Sequence, residues 1–327
     1  MAASSASTAM DNPVYTIEQL DAYFERINVS SRFNRDDRSL EALTILIRQQ
    51  LLNVPFETLA LHYSVDRTIS LDPAALFDKI VTRRRGGYCL ENNTFFGCVL
   101  RSLGFSVYGV ICRISKATWG VHDGSWRPMS HMANIVMLDG LKYLVDVGYG
   151  VDGPTIPIPL DASLKAEDAS NRANDALSHT GFPGQKIKLE LKNLPQHIDP
   201  SQKVWVYSQR RFMDNWEDVY HFADMEVLPH DFEVLNFYNM TNSLWARTVV
   251  AQRFRGSEIS IDGTLMLVRH ELRRGDGSRT EPIIMKTYQT EAQRLEALRW
   301  NFGIILSEEE QRAIKGRPTE LTGSELP

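Results

Sequence analysis

Arg85-Gly86-Gly87-Tyr88-Cys89-Leu90-Glu91-Asn92-Asn93 joins a glycine turn to a cysteine and to the start of a helix. Two glycines let the backbone turn tightly. Leu90 to Leu103 then reads as a helix closed by Gly104. Cys89 therefore falls at a helix N-terminus, where unpaired amide N–H groups and the helix dipole favour thiolate over thiol. A free cysteine is more often a small buried hydrophobe. Here Glu91, Asn92 and Asn93 beside it argue for a place outside an oily core. A cysteine nucleophile also needs a histidine to activate it.

Strand register supplies one. His131 to Leu138 runs into Asp139-Gly140 and Leu141 to Gly148 runs out, the pattern of a β-hairpin with a two-residue turn. Leu138 then faces Leu141, and His131 faces Gly148. Asp146 shares the parity of Gly148, so it lies on the His131 face of the ribbon, one diagonal step away. A carboxylate that accepts a bond from one ring nitrogen fixes the tautomer and leaves the other nitrogen for a thiol. Cys89, His131 and Asp146 thus form a candidate triad. His122 lies in a loop with no acid in register and ranks far below His131.

Around this centre the 327-residue chain is 43% hydrophobic and 24% charged, with a formal charge of -5 and a pI near 5.9. Such a chain is an ordinary globular protein of two or three domains, with no global field to draw nucleic acid or an anionic membrane. It holds no apolar run long enough to span a bilayer. Met1 to Asn12, rich in Ala and Ser, reads as a disordered leader without a signal-peptide core. Three dispersed cysteines suit a reducing compartment, hence the cytoplasm, and no spacing suggests a metal site. Cys98 on an apolar helix and Cys112 in an apolar strand read as core residues.

Thr16 to Ile27 opens on a Thr16/Gln19 capping pattern, Leu40 to Leu52 repeats an apolar stripe, and Pro73 to Ile80 adds a short helix. Residues 1–104 thus read as a helical domain that ends with the helix of the cysteine. From Phe105 the apolar and β-branched runs predict a largely antiparallel sheet or barrel over 105–213, carrying His131 and Asp146. Within it, Trp119 to Pro128 is a glycine-rich aromatic loop whose backbone amides suit an anion. Residues 154–185, rich in Pro, Ala, Asp and Ser, read as a surface insertion. Over 214–327, helices at Trp216 to Asp224, Phe232 to Met240 and Glu291 to Asn301 alternate with strands near Arg247 to Arg253, Leu265 to Leu272 and Ile283 to Tyr288. That segment reads as a smaller α/β lid with a disordered polar tail after Leu306. The expected class is α+β: an N-terminal helical bundle, a central antiparallel β-barrel or sheet, and a C-terminal α/β lid.

Arg85 to Asn93, Ser130-His131 and Val145-Asp146-Val147-Gly148-Tyr149-Gly150 together resemble the arylamine N-acetyltransferase family. Asn53-Val54-Pro55-Phe56-Glu57-Thr58-Leu59 and Leu298 to Ile304 resemble two further motifs of that family, so the similarity spans most of the chain. It looks like a eukaryotic, fungal-type member. The resemblance implies a papain-like Cys-His-Asp core and a small aromatic amine as acceptor, with Phe56 and Tyr149 facing its ring. It implies a Glu57–Arg85 pair that holds the cysteine turn. It also implies coenzyme A contacts at Gly124 and Ser125 in the glycine-rich loop and at Thr241 and Ser243. There the Thr-Ser-Pro of many relatives gives way to Thr241-Asn242-Ser243, which leaves the acyl group open. Some relatives from filamentous fungi use malonyl-CoA in place of acetyl-CoA, and Arg247 stands by position to meet a malonyl carboxylate. No metal, nucleic acid or membrane partner is implied, and a monomer is the default.

A Cys-His-Asp set runs acyl transfer. The thiolate attacks a carbonyl, an acyl-cysteine forms, and an amine attacks it with His131 taking the proton. Composition and spacing do not separate a transferase from a cysteine amidase or peptidase. The resemblance favours a ping-pong transfer from acetyl-CoA or malonyl-CoA to an arylamine or arylhydrazine, a xenobiotic detoxification chemistry.

Overall fold

Side-chain caps open the first helices. In α1 (Ile17–Arg26) the Thr16 hydroxyl accepts from the Gln19 amide and the Gln19 side chain reciprocates. Ser39 caps α2 (Leu40–Asn53). Asp72 caps α3 (Pro73–Phe77), which places proline in its first turn and then widens into a π-helical turn over Asp78–Thr82. The helix of the cysteine is α4 (Cys89–Ser102), and Gly104 follows at φ 86°. Leu43, Leu46 and Ile47 of α2 pack with Phe95, Phe96 and Val99 of α4 in one buried cluster. This is a computed structural model, and it describes residues 14–29, 33–161, 179–211, 215–275 and 282–323. The expected leader and residues 162–178 of the expected insertion lie outside them.

A two-residue strand, β1 (Phe56–Glu57), precedes the cysteine turn. After α4 come β2 (Ser106–Ser115), β3 (Trp126–Leu138), β4 (Leu141–Val145), β5 (Ile158–Pro159), β6 (His179–Thr180), β7 (Gln185–Lys192), β8 (Val204–Arg211) and β9 (Glu217–Phe222). They build one antiparallel sheet in the order β5-β4-β3-β2-β9-β8-β7-β6. The hairpin register runs from Leu138↔Leu141 to Asn134↔Val145. Asp139 at φ 51° and Gly140 at φ 77° give the mirror-image turn whose twist matches the strands it joins. Glu217–Phe222 is a strand, not the helix expected at Trp216 to Asp224. It pairs with both β8 and β2, so the sheet crosses the boundary drawn at 213.

The C-terminal part holds α5 (Pro229–Asn242), β10 (Val250–Gly256), β11 (Ile261–Val268), β12 (Glu271–Gly275), β13 (Ile283–Thr287), α6 (Glu291–Phe302) and α7 (Glu308–Ala313). Its sheet runs β1-β10-β11-β12-β13, so a strand from the helical region forms its edge. The single strand expected over Leu265 to Leu272 is two strands, folded back at Arg269, which adopts φ 56°. The segment after Leu306 is ordered through residue 323. Ser307 and Glu310 close a capping box on α7, and Ile314 and Leu321 are buried in the C-terminal core.

Candidate active site

Close backbone packing shapes the cysteine turn. A Cβ on Gly86 would stand 1.9 Å from the Pro55 carbonyl oxygen, so only glycine lets these segments meet. Gly87 forms a bridge to Phe56, and its carbonyl accepts from the Glu57 amide at 2.9 Å. Arg85 donates through Nε and Nη2 to Glu57 Oε1 at 3.0 and 2.7 Å, and through Nη1 to Glu310 Oε1 at 2.8 Å. Burial alone would raise the Glu57 pKa, but the Arg85 and Lys79 cations outweigh it and hold the carboxylate below its usual range. Lys79 donates to Glu91 at 2.6 Å, and Glu91 in turn accepts the Tyr88 amide at 3.0 Å.

Cys89 begins α4 and is only 3% exposed. That corrects the expectation that its polar neighbours keep it out of the core. Those neighbours are buried with their own partners. Asn92 donates to the Gly87 carbonyl, Glu91 pairs with Lys79, and Asn93 donates to the Met132 carbonyl at 2.7 Å and to Asp146 Oδ1 at 2.9 Å. The thiol donates to the Ser130 carbonyl at 3.7 Å. Cys112 pairs with His131 and Arg113 with Met129, so Ser130 is the extra residue of a bulge. Such a bulge re-aims its strand locally, here beside His131. The Asn239 amide of α5 donates to the same carbonyl at 2.8 Å.

His131 Nε2 lies 2.7 Å from Asp146 Oδ2, and the Cys89 side chain is near enough to act on the same ring, whose Nδ1 is the nitrogen left for the thiol. β4 ends at Val145, and the chain then turns so that Asp146 Oδ1 accepts from Asn93 and from the Gly148 amide at 2.9 Å. A Cβ on Gly148 would stand 2.6 Å from the Cys89 carbonyl oxygen, so this turn packs directly on the start of α4. Burial would lower the His131 pKa, but the Asp146 carboxylate outweighs it and carries the ring up to about 10. Burial would raise the Asp146 pKa, and His131 outweighs it and holds it low. The pair is therefore an imidazolium and a carboxylate at neutral pH. Burial pushes the Cys98 and Cys112 thiols up, which suits packing and not nucleophilic attack.

Phe56 and Tyr149 both adjoin this centre. Phe56 is buried in one cluster with Cys89, Tyr88 and Met132, and its ring meets Trp245 edge-on at 5.1 Å. Tyr149 stands at right angles to the His131 ring, 5.2 Å between centroids. The five residues expected at coenzyme A have partners within their own loops and helix ends or face solvent. The Gly124 carbonyl accepts from Gln196, and the Ser125 amide and hydroxyl donate to Asp123. The Thr241 hydroxyl donates to the Phe237 carbonyl, the Ser243 hydroxyl to the Asn239 carbonyl, and Arg247 is exposed. Among the described residues, none of the five hydrogen-bonds to the triad. His122 is exposed and lies 3.7 Å from Glu217 Oε1, not at the thiol.

Several residues of the site carry no role in the sequence reading. Asn93 stands one helical turn after Cys89 and thus on its face, a spacing that marks it out. The Tyr220 ring lies 5.2 Å from His131 and 5.3 Å from Tyr149, on a strand whose sequence fits a helical stripe. Asn239 and Glu310 come from distant segments, with no local sign that they meet the cysteine turn. Among the described residues there is no cluster of His, Cys, Asp and Glu suited to a metal ion, and no helix is long and apolar enough to cross a membrane.

A family model described as N-acetyltransferase matches residues 39–311. The N-malonyltransferase FDB2 of Fusarium pseudograminearum is 32% identical over 337 residues, 93% of this chain and 94% of the relative. An arylamine N-acetyltransferase of Mycobacterium bovis is 40% identical over 228 residues, 68% of this chain and 69% of the relative. The crystal structure of the arylamine N-acetyltransferase from Nocardia farcinica superposes with a TM-score of 0.73 at 27% identity, covering 94% of this chain and 99% of that one.

Proposed function

The chain belongs to the arylamine N-acetyltransferase family, and on that premise we propose that it moves an acetyl group from acetyl-CoA to an aromatic amine through an acyl-cysteine on Cys89. The carrying observation is the 2.7 Å contact of His131 Nε2 with Asp146 Oδ2, with the thiol of a helix N-terminus on the same ring. An imidazolium beside the sulfur favours thiolate, which attacks the thioester carbonyl. The backbone N–H of Cys89, at the start of α4 where amides lack an intrahelical partner, is a donor for the resulting oxyanion. Coenzyme A leaves as the thiol, taking the imidazole proton. His131 then accepts a proton from the amine as the amine attacks the acyl-cysteine, and free Cys89 returns. An aromatic amine suits this step, because it is unprotonated at neutral pH.

The surroundings of the sulfur support acetyl as the acyl group. Phe56, Tyr88, Met132 and Val250 share the buried cluster of Cys89. The nearby cations Arg85 and Lys79 are committed to Glu57, Glu310 and Glu91. An uncharged methyl suits such a neighbourhood better than a malonyl carboxylate. The likeness to FDB2 along almost the whole chain favours malonyl-CoA as the second reading. Cys89 is only 3% exposed and shares its cluster with Phe56, Trp245 and residues of α5.

Intact mass of the protein mixed with either thioester, without amine, tests the proposal. An acetyl adduct on Cys89 that passes to an added arylamine is the expected result. A malonyl adduct alone would reverse the choice of donor. No adduct from either thioester, on protein whose Cys89 still alkylates, would overturn acyl transfer in favour of amide hydrolysis.

A further inference from the structure

Among the described residues, Arg127 forms no ion pair with a carboxylate. It sits on β3, four residues before His131, and its guanidinium carbon lies 3.4 Å from the Trp119 ring centroid. The Nη1 atom is buried and has no hydrogen-bond partner among the described residues. A buried guanidinium donor left empty is costly, and such a group in a pocket wall is matched by an acceptor on what enters the pocket.

The direction of the side chain follows from its neighbours. Trp126 meets His221 edge-on at 4.5 Å and packs with Leu194, Val204 and Val206. Along β9 the adjacent Tyr220 faces the other way, with its ring 5.2 Å from His131. Arg127 follows Trp126 in the strand, which turns it to the side of Tyr220, and since the pairing shifts register between Trp126 and Met129 its own contacts carry the placement. Tyr238 and Tyr149 are near enough to act on its charge, and Tyr149 is in turn influenced by Thr118, next to the Trp119 beneath the guanidinium. Arg127 and Trp119 thus neighbour Tyr149, and Tyr149 joins them to the histidine. Arg247, placed by sequence position to meet a malonyl carboxylate, is exposed at the end of a short turn and offers no such enclosure.

We propose that Arg127 is a substrate-binding residue that receives a carboxylate carried by one of the two substrates. The inference rests on the acyl-transfer reading and adds a substrate class to it. A planar guanidinium held flat against an indole presents its fork in a fixed plane, which suits a carboxylate. The carboxylate has two sources: the acyl group of a dicarboxylic thioester such as malonyl-CoA, or the ring of an aminobenzoate acceptor. Either would place its reacting atom towards His131 and leave the acid on Arg127.

Two preference ratios in kcat/KM test this, for wild type, Arg127→Gln and Arg127→Lys. The donor arm compares malonyl-CoA with acetyl-CoA on one amine, and the acceptor arm compares 4-aminobenzoate with 4-methylaniline on one thioester. A lost hydrogen bond to a charged group is worth about 10- to 100-fold. In Arg127→Gln, one ratio falls by that factor, mostly through KM, and the arm in which it falls names the source. Arg127→Lys keeps part of the preference, because charge survives without the fork. If acyl-cysteine forms and neither ratio moves more than about 3-fold, the role of Arg127 is overturned while acyl transfer stands. If no thioester acylates Cys89 in the wild type, acyl transfer itself fails and takes the inference with it.

Discussion

Asp146 works at the scale of single atoms. Its Oδ2 holds His131 Nε2, and its Oδ1 is held by Asn93 and the Gly148 amide, so the carboxylate cannot rotate away. The Asp146→Asn change keeps the shape and removes the charge that carries the His131 pKa up to about 10. The imidazolium beside the thiol is then lost at neutral pH, and the ring nitrogen that faced the carboxylate meets an amide. Stopped-flow acylation with acetyl-CoA should slow by roughly 100- to 10,000-fold, with secondary structure unchanged by circular dichroism. An acylation rate within about 5-fold of wild type would remove Asp146 from the mechanism.

At the scale of elements, the cysteine turn is fixed by charges from three parts of the chain: Glu57 from β1, Arg85 from the turn, and Glu310 from α7. Glu57 and Arg85 are both buried, so Glu57→Gln takes the closer, two-armed carboxylate from Arg85, leaves it Glu310 alone, and should cost roughly 3 kcal/mol in urea denaturation. Glu310 is nearer solvent and shared with the more exposed Arg83, so Glu310→Gln should cost only about 1 kcal/mol. Equal losses would mean that burial does not set the worth of these pairs. The hairpin that brings His131 to Asp146 was legible because Asp139-Gly140 and strict alternation are local signals. Glu217–Phe222 was not, since Trp216, Val219 and Tyr220 fit a helical stripe and the pairing that makes a strand comes from β2 and β8. The burial of Cys89 was equally hidden, because Lys79, Met132 and Asp146 satisfy its polar neighbours from other segments. For α7 the Ser307/Glu310 capping box stood in the sequence. Only the C-terminal core, however, gives Ile314 and Leu321 a place to bury.

At the scale of the whole molecule, histidines with opposite shifts set how stability follows pH. Burial lowers the His62 pKa to about 4, where Nε2 meets the Trp245 carbonyl and Nδ1 the Thr319 hydroxyl, and burial likewise lowers His221 to about 4. Both stay neutral in the fold while the unfolded chain takes up protons below about 6.5. Their contribution is present above that value and is lost as pH falls towards 4. His131 has the opposite sign. Raised to about 10 by Asp146, it is protonated in the fold when the unfolded histidine is not, so its contribution is present below about 6.5 and is lost as pH rises towards 10. Stability should therefore peak near pH 6.5 and fall on both sides; between about 6.5 and 8.5, before the buried thiols Cys98 and Cys112 add to it, the alkaline limb owes up to one proton, about 1.4 kcal/mol per pH unit, to His131. Denaturation midpoints of wild type, Asp146→Asn and His62→Gln between pH 4.5 and 9.5 separate the two limbs. Asp146→Asn should flatten the alkaline limb alone and His62→Gln should reduce the acid limb alone. If Asp146→Asn left the alkaline slope intact, the catalytic ion pair would not be its source.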